Sequence, residues 1–244
     1  MWNSQHHSAI LHVGTGREGD SRAGAEGLRH LVWLPAACLV GFMTAFVFGD
    51  VLTLPVDVYY LLYFASVGAF MTWYVRTTGL DVRKWLSRRL VWSVPLGLVV
   101  GLVLMQGVLA RPETAKLSGA LFAWALFWRG LVYGAVDGIL LFSLPWVITW
   151  RAFDAERRGA GRKVAASVVA WGAILLVTTA YHLGYADFRS SKILQPGIGS
   201  AIGSASTLLT ANPVGSPISH VLLHVTAVIH SPETDLFLPP HRAR

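Results

Sequence analysis

Long apolar stretches separated by short polar segments dominate the pattern along the chain. These stretches cover residues 31–48, 58–75, 90–109, 121–150 and 164–183. Each approaches or exceeds the roughly 20 residues that an α-helix needs to cross the hydrocarbon core of a bilayer. The pattern therefore predicts an all-α fold, a polytopic transmembrane helix bundle with five spanning helices.

The segment after the fifth stretch follows a different pattern. Residues 197–211 are apolar but rich in glycine and serine, Asn212 and Pro213 then interrupt any helix, and a short apolar run follows over residues 218–229. Each arm is too short to cross a membrane alone. We predict that the two arms form either one broken helix or a re-entrant hairpin.

The composition agrees with a membrane location. Apolar residues make up 54% of the 244-residue chain and charged residues only 14%, against about 25% charged residues in a soluble domain. This excludes an ordinary water-soluble enzyme. We divide the chain into a flexible cytosolic tail (1–28), a transmembrane helical domain (29–231) and a polar tail (232–244).

The net charge of +7 comes from basic residues concentrated in two connections, 76–89 and 151–163. In membrane proteins such clusters mark cytoplasmic loops, so we expect no nucleic-acid partner. The clusters predict a multi-pass protein of the cell membrane whose N-terminus is cytoplasmic. The predominance of arginine over lysine, together with abundant alanine and glycine, suggests a bacterial source.

Aromatic residues are expected at the two membrane interfaces. In the fourth stretch, two pairs of tryptophans stand about 27 Å apart, close to the thickness of one hydrocarbon core. We interpret these tryptophans, and several aromatic residues of the second stretch and the connection after it, as interface anchors. They are Trp124, Trp128, Trp146 and Trp150, with Tyr59, Tyr60, Trp73, Tyr74 and Trp85.

Two charged residues lie within the fourth stretch, where Arg129, Tyr133 and Asp137 recur every four residues and so share one helix face. Asp137 falls at mid-membrane, where a carboxylate is costly unless it is paired or hydrated, and is a candidate catalytic residue. Arg129 is a second candidate, although its side chain could also extend to the interface. The alternative for Asp137 is a structural role, with Arg or Tyr partners holding it between helices.

Histidines provide the remaining candidates. His220 and His224 stand one helical turn apart, a spacing that can chelate a divalent metal such as zinc, although such pairs also form hydrogen bonds between helices. His182, near the end of the fifth stretch, is a candidate catalytic residue. If a hairpin enters from the outer side, its turn is deepest, and Asp137, His220 and His224 can meet.

Small residues support two further interpretations. The serines within residues 199–206 could supply a nucleophile to a histidine base, but glycine and serine at four-residue spacing are typical of tightly packed membrane helices. We interpret Ser93, Gly97 and Gly101 of the third stretch as packing positions of this kind.

Three short motifs resemble the CPBP family of intramembrane proteases, which are related to the enzymes that process prenylated CAAX proteins. Arg129-Gly130 matches the arginine of the first family motif. His182 matches the histidine of the second motif, in which Thr178 replaces the phenylalanine, and His220 matches the histidine of the third, in which His224 replaces the asparagine. The family's paired glutamates are replaced by Trp124 and Ala125. The resemblance implies an intramembrane protease whose site combines these residues.

These features lead to two functional hypotheses. The first is a metal-assisted hydrolase of peptide or lipid bonds, with His220 and His224 as metal ligands and Asp137, Arg129 and His182 as catalytic residues. The second is a non-enzymatic protein, either a small transporter or a helix-packing subunit with a membrane-protein partner or a second copy of itself. Both place the chain in a lipid bilayer.

Overall fold

The computed structural model describes residue 27, residues 29–234 and residues 236–239. The predicted cytosolic tail therefore lies outside the described residues apart from residue 27. Residues 235 and 240–244 of the predicted polar tail also lie outside them.

Every regular element within the described ranges is a helix, as the all-α prediction requires. The longer helices in chain order are α1 (Arg29–Val51), α2 (Val56–Thr78), α3 (Val82–Ser87), α4 (Leu90–Leu109), α5 (Gly119–Ala152), α6 (Ala160–Leu183), α7 (Leu194–Gly203), α8 (Ala205–Thr210) and α9 (Gly215–His230). Two short 3₁₀ helices, Ala186–Phe188 and Ser191–Ile193, lie between α6 and α7. Among the described residues, five helices are long and apolar enough to cross a membrane: α1, α2, α4, α5 and α6. This confirms the predicted number of spans.

Local signals set the helix ends. Pro55, whose ring cannot continue a preceding helix, stands immediately before α2. Gly79 ends α2 in the left-handed conformation (φ 59°), which glycine adopts without the steric penalty of a Cβ. Asp81 caps α3 by accepting a hydrogen bond from the Lys84 amide at 3.0 Å. A tight corner therefore separates α2 from α3.

The connections fall on two opposite faces of the bundle. On the first, which we call the Arg111 face, lie residues 52–55, 110–118 and 184–193. On the second, the Asn212 face, lie residues 79–89 and 153–159, which a 2.8 Å ion pair between Arg88 and Glu156 joins. The predicted orientation would make the Asn212 face cytoplasmic.

The C-terminal segment forms a hairpin. Helices α7 and α8 run from the Arg111 face to a turn around Asn212, and α9 returns, so that His230 Nε2 lies 2.8 Å from the Arg111 carbonyl oxygen. Of the two predicted alternatives, the structure contains the hairpin rather than the single broken span.

The tip of the hairpin is attached to the Asn212 face. The Asn212 amide donates to the backbone carbonyl oxygens of Leu86 (3.2 Å) and Arg88, and its Oδ1 accepts from the Val214 amide at 2.8 Å. Ser143 on α5 donates to the Pro213 carbonyl oxygen at 2.6 Å. The hairpin therefore reaches through the bundle from one face to the other. The expectation that each arm is too short to do so was wrong, because α7 and α8 continue one another over residues 194–210 and α9 covers Gly215–His230.

Helix α9 packs against α4 and α5. On α4, Gly97 approaches it so closely that an added Cβ would lie 2.5 Å from the Gly215 carbonyl oxygen. Ser93, Gly97 and Gly101 are all buried there, which confirms the predicted packing role of this stripe.

Helix α5 is interrupted twice by π-helical turns, at Leu126–Val132 and Ile139–Ser143. A short α-helical segment, Tyr133–Gly138, lies between them. Turns of this kind inside α-helices occur frequently at functional sites. Here they flank the segment that contains Asp137.

Candidate functional site

Asp137, His220 and His224 meet in the interior of the bundle. Asp137 Oδ2 lies 2.8 Å from His220 Nε2 and 3.9 Å from His224 Nε2, and the two Nε2 atoms are 3.0 Å apart. The residues are only 2%, 8% and 4% exposed. The structure thus brings together the three residues that a hairpin entering from one face was predicted to gather. We refer to them as the Asp-His-His group.

Glycines on α5 allow this approach. A Cβ at Gly134 would lie 2.9 Å from the Val221 Cα, and a Cβ at Gly138 would lie 2.8 Å from the Pro217 Cα. Both distances are too short for any larger residue without movement of the backbone. The α5–α9 contact therefore depends on these glycines, and it carries Asp137 to the histidines.

A third helix orients the carboxylate. The Tyr63 hydroxyl on α2 donates to Asp137 Oδ1 at 2.6 Å, and Tyr63 is fully buried. One carboxylate oxygen is thus held by Tyr63 while the other faces the histidines. In metal sites, carboxylate ligands are commonly hydrogen-bonded in this way, which fixes their orientation.

Aromatic rings hold the two imidazoles. The Tyr133 ring contacts His224 edge to face, with centroids 4.8 Å apart, and the Phe142 ring lies 5.2 Å from His220. These aromatic contacts restrict rotation of the two imidazole rings. The Nε2 atoms of His220 and His224 therefore stay directed at Asp137.

The geometry of the Asp-His-His group fits a divalent metal. Two ligand atoms each about 2.1 Å from a tetrahedral zinc ion lie about 3.4 Å from one another. The three separations in the group, 2.8, 3.0 and 3.9 Å, lie on both sides of this value. Asp137 Oδ2 and the two Nε2 atoms each carry a lone pair when they are deprotonated, and these lone pairs repel one another. Either protons or a cation must therefore lie between the three atoms. The group could therefore hold a metal ion.

A cavity of about 300 Å³ adjoins the group and extends toward the Arg111 face. Asp137, His220 and His224 line its inner end, and Arg111 and Phe237 lie at its outer end. The same cavity thus borders both the buried carboxylate and a residue of the Arg111 face.

His182 lines the same cavity without joining the group. Its Nδ1 lies 2.8 Å from the Thr178 carbonyl oxygen. A carbonyl oxygen can only accept a hydrogen bond, so Nδ1 must carry the proton. In the neutral ring, Nε2 is then left as a proton acceptor.

Arg129, the remaining candidate catalytic residue, is not brought to the group. Its guanidinium lies 3.5 Å from Asp57 Oδ1, and its side chain is 23% exposed. It does not line the cavity. Arg129 stands eight residues before Asp137, about 12 Å along a regular helix, and the π-helical turn at Leu126–Val132 also disturbs the shared face that a regular four-residue spacing predicted. The structural position agrees with the alternative that Arg129 extends toward the interface.

The serines of residues 199–206 do not contact the histidines. Ser200 donates to the Pro196 carbonyl oxygen at 2.7 Å, and its Oγ lies 3.1 Å from the Thr178 hydroxyl oxygen. Ser204 and Ser206 likewise donate to carbonyl oxygens of the preceding turn. Such hydrogen bonds are typical of packed membrane helices. They agree with the interpretation of residues 199–206 as a packing segment rather than as the source of a nucleophile.

A buried tyrosine cluster next to the site was missed. The Tyr181 hydroxyl lies 2.7 Å from that of Tyr133, 3.1 Å from that of Tyr59 and 2.9 Å from that of Tyr185. The Tyr59 and Tyr185 hydroxyls are also hydrogen-bonded to each other. The available signal was the four-residue spacing of Tyr59 from Tyr63 and of Tyr181 from Tyr185.

Several predicted interface anchors are in fact buried. Tyr59, Tyr60 and Tyr74 are 0% exposed, because the α2 face that carries them packs into the core. Trp146 and Trp150 are 0% and 2% exposed and stack on each other at 5.0 Å. The prediction that these residues face the membrane interface was therefore wrong.

No protein-family model, curated protein or solved structure matches the chain. The fold and the site together define a multi-pass helical membrane protein with a buried Asp-His-His group that could hold a metal ion.

Proposed function

We propose that the protein is a metal-dependent hydrolase that acts within the membrane. The observation that supports this most directly is the convergence of Asp137 Oδ2, His220 Nε2 and His224 Nε2 at the inner end of a cavity. Three protein ligands next to a cavity are typical of catalytic rather than structural zinc sites, because a coordination position remains for water or substrate.

Each residue has a defined part in this proposal. His220, His224 and Asp137 bind the cation, and Tyr63 keeps the carboxylate oriented. A divalent cation supplies a Lewis acid and lowers the pKa of a bound water. His182 accepts a proton through Nε2, since its Nδ1 proton is committed to Thr178.

The resemblance to the CPBP family is proposed as a similarity of layout. Helices α5, α6 and α9 carry the three matching motifs, and α5 and α9 meet at the Asp-His-His group. Asp137, rather than a glutamate pair at Trp124 and Ala125, provides the carboxylate. Arg129 lies apart from the group, so its proposed part is limited to the ion pair with Asp57.

The predicted orientation adds a location to the proposal. With the N-terminus in the cytoplasm, the Arg111 face lies outside, and the cavity is reached from the outer side of the cell membrane. The alternative of a helix-packing subunit has less support, because Gly130, Gly134 and Gly138 are already covered by α9 of the same chain.

The experiment is a measurement of the metal content of the detergent-purified protein after incubation with zinc and removal of free ions. We expect about one zinc per chain. The double variant His220→Ala, His224→Ala should contain none, whereas His230→Ala, which lies on the same helix outside the group, should retain it. Gel filtration and thermal unfolding check that each variant is folded.

Two results would contradict the proposal: a wild-type protein that binds no zinc, or a folded double variant that binds as much as the wild type. If zinc is bound, hydrolysis of a membrane-partitioning fluorogenic ester in proteoliposomes tests the chemistry. Chelation of the metal and His182→Ala should each lower the rate at least tenfold. A rate that neither treatment changes would exclude the hydrolase function.

A further inference from the structure

A second opening of the cavity faces the lipid rather than the aqueous phase. On α4, Val103, Leu104 and Gly107 line the cavity, and on α7, Ile198 and Ile202 line it from the opposite side. Val103 and Ile198 are also 54% and 62% exposed at the surface of the bundle. Side chains that line a cavity and also lie at the surface mark a place where the two communicate. The cavity therefore opens laterally between α4 and α7.

Two glycines that line the cavity have open space beside them. A Cβ at Gly107 or at Gly199 would have no heavy atom within 4 Å, which means that the space beside each glycine is empty. The walls around it are apolar, and α4 is a membrane-spanning helix. In a bilayer such a space is accessible to acyl chains, since a hydrocarbon chain loses no hydration by entering it.

A cation stands at the outer end of the opening. Arg111 stands two residues after the end of α4 at Leu109 and lines the same cavity as Gly107 of α4. Arg111 is exposed, and no acidic group of the described residues lies within 4.0 Å of its guanidinium. The neighbouring Glu113 pairs with Lys116 at 3.1 Å. The hydrogen bond and charge of Lys116 lower the pKa of Glu113, so this carboxylate stays ionised and occupied with Lys116.

One further polar side chain lines the cavity. The Oε1 atom of Gln195 is buried without a hydrogen-bond partner among the described residues, and as an acceptor it can take a hydrogen bond from a hydroxyl group of a ligand. The α4–α7 opening thus has an apolar middle and a polar, positively charged end. The volume of about 300 Å³ is at the lower end of the range for ligand pockets.

We propose that the α4–α7 opening binds an anionic lipid, with its headgroup at Arg111 and one acyl chain between Gly107 and Ile198. The chain enters sideways from the bilayer, and the linkage between headgroup and chain is directed toward the Asp-His-His group. That this lipid is also the substrate rests on the proposed hydrolase function. The binding itself does not require a metal.

The test measures binding of phosphatidylglycerol and of phosphatidylcholine, each spin-labelled on one acyl chain, to the full chain in proteoliposomes. The immobilised fraction of the label in the electron paramagnetic resonance spectrum reports the bound lipid. We expect preference for phosphatidylglycerol. Arg111→Gln should lower its affinity about fivefold, to the value for phosphatidylcholine, because one cation near a lipid headgroup contributes about this much.

A second variant fills the apolar part. Gly107→Leu should remove the immobilised fraction for both lipids. Gly172→Leu is the matched control, because Gly172 is also an exposed helical glycine with nothing within 4 Å of an added Cβ, and it does not line the cavity. It should leave the binding of both lipids unchanged.

Three results would overturn the inference: equal binding of the two lipids, no effect of Arg111→Gln, or no difference between Gly107→Leu and Gly172→Leu. Competition with glycerol 3-phosphate is a further check. If this anion, which carries no acyl chain, displaces the lipid at similar concentration, the site recognises a free phosphate and the lipid assignment is wrong.

The failures of the two proposals are distinguishable. Lipid binding with no bound zinc would contradict the hydrolase and leave the lipid site standing. Zinc binding without a preference for the anionic lipid would contradict the lipid site and leave the proposed hydrolase standing.

Discussion

Two helix contacts in this bundle are lined with glycine, and they differ in what occupies the space beside it. In the α5–α9 contact, the space beside Gly130, Gly134 and Gly138 is filled by the backbone and side chains of α9. In the α4–α7 contact, the space beside Gly107 and Gly199 is empty. The same residue type thus brings two helices together in one place and leaves an opening in the other.

The difference shows how a buried site can be both rigid and accessible. The filled contact sets a lower limit on the distance between Asp137 and the two histidines, because the backbones of α5 and α9 cannot approach further without a clash. The empty contact lies on the far side of the same cavity. Small residues in membrane helices are usually explained by close packing alone, and α4–α7 does not fit that explanation.

The largest expected effect comes from enlarging a glycine in the filled contact. Gly134→Val places its Cβ 2.9 Å from the Val221 Cα, so α9 must move away. We expect a loss of about 3 kcal/mol in the free energy of unfolding and loss of bound zinc. Thermal unfolding in detergent measures the loss of stability, and metal analysis measures the loss of zinc. Gly172→Val is the control, and equal behaviour of the two variants would show that the α5–α9 contact is not tight.

A smaller effect is expected from loosening the carboxylate while the contact is kept. Tyr63→Phe removes only the hydroxyl that donates to Asp137 Oδ1. Loss of such a supporting hydrogen bond typically lowers metal affinity by 10–100-fold, and we expect about tenfold. Competition with a chelator of known affinity measures it. An unchanged affinity would mean that α5 and α9 alone orient the carboxylate.

The smallest effects should have opposite signs in the two contacts. Gly107→Ala adds a methyl group to empty space and improves helix propensity, so it should stabilise by up to about 1 kcal/mol. Gly134→Ala should destabilise by about 1 kcal/mol or more, because its methyl group meets the backbone of α9. Unfolding curves of the two variants measure the changes in the free energy of unfolding. If both changes have the same sign, the two contacts do not differ in the way described.

Much of the fold followed from the apolar pattern, because bilayer thickness imposes a length on every spanning helix. The five spans and the interruption at Asn212 and Pro213 were predictable for this reason. The choice between a hairpin and a broken helix was not. It depends on the hydrogen bonds of Asn212 to carbonyl oxygens of residues 86 and 88, which are distant in sequence.

Charge and residue spacing were sufficient to predict part of the site. Asp137 was identified because a mid-membrane carboxylate is costly, and His220 with His224 because of their spacing on one helix. Tyr63 was missed for two reasons. Placing an uncharged tyrosine in the membrane costs far less free energy than placing a carboxylate there, and its hydrogen bond joins two helices that are distant in sequence. Arg129 was misplaced relative to Asp137 because regular helical spacing was assumed across a π-helical turn.

That π-helical turn has a consequence for how sequences of this kind diverge. Each residue of an α-helix advances the direction of the next by about 100°. A π-helical turn holds one residue more than an α-helical turn, so removing one residue from 126–132 would restore regular α-helix and leave Asp137 facing the histidines. The shortened chain would have nearly the same hydropathy profile and the same number of spans. A single in-frame codon loss would thus keep the Asp-His-His group and shift by one position which residues before the turn share its helix face.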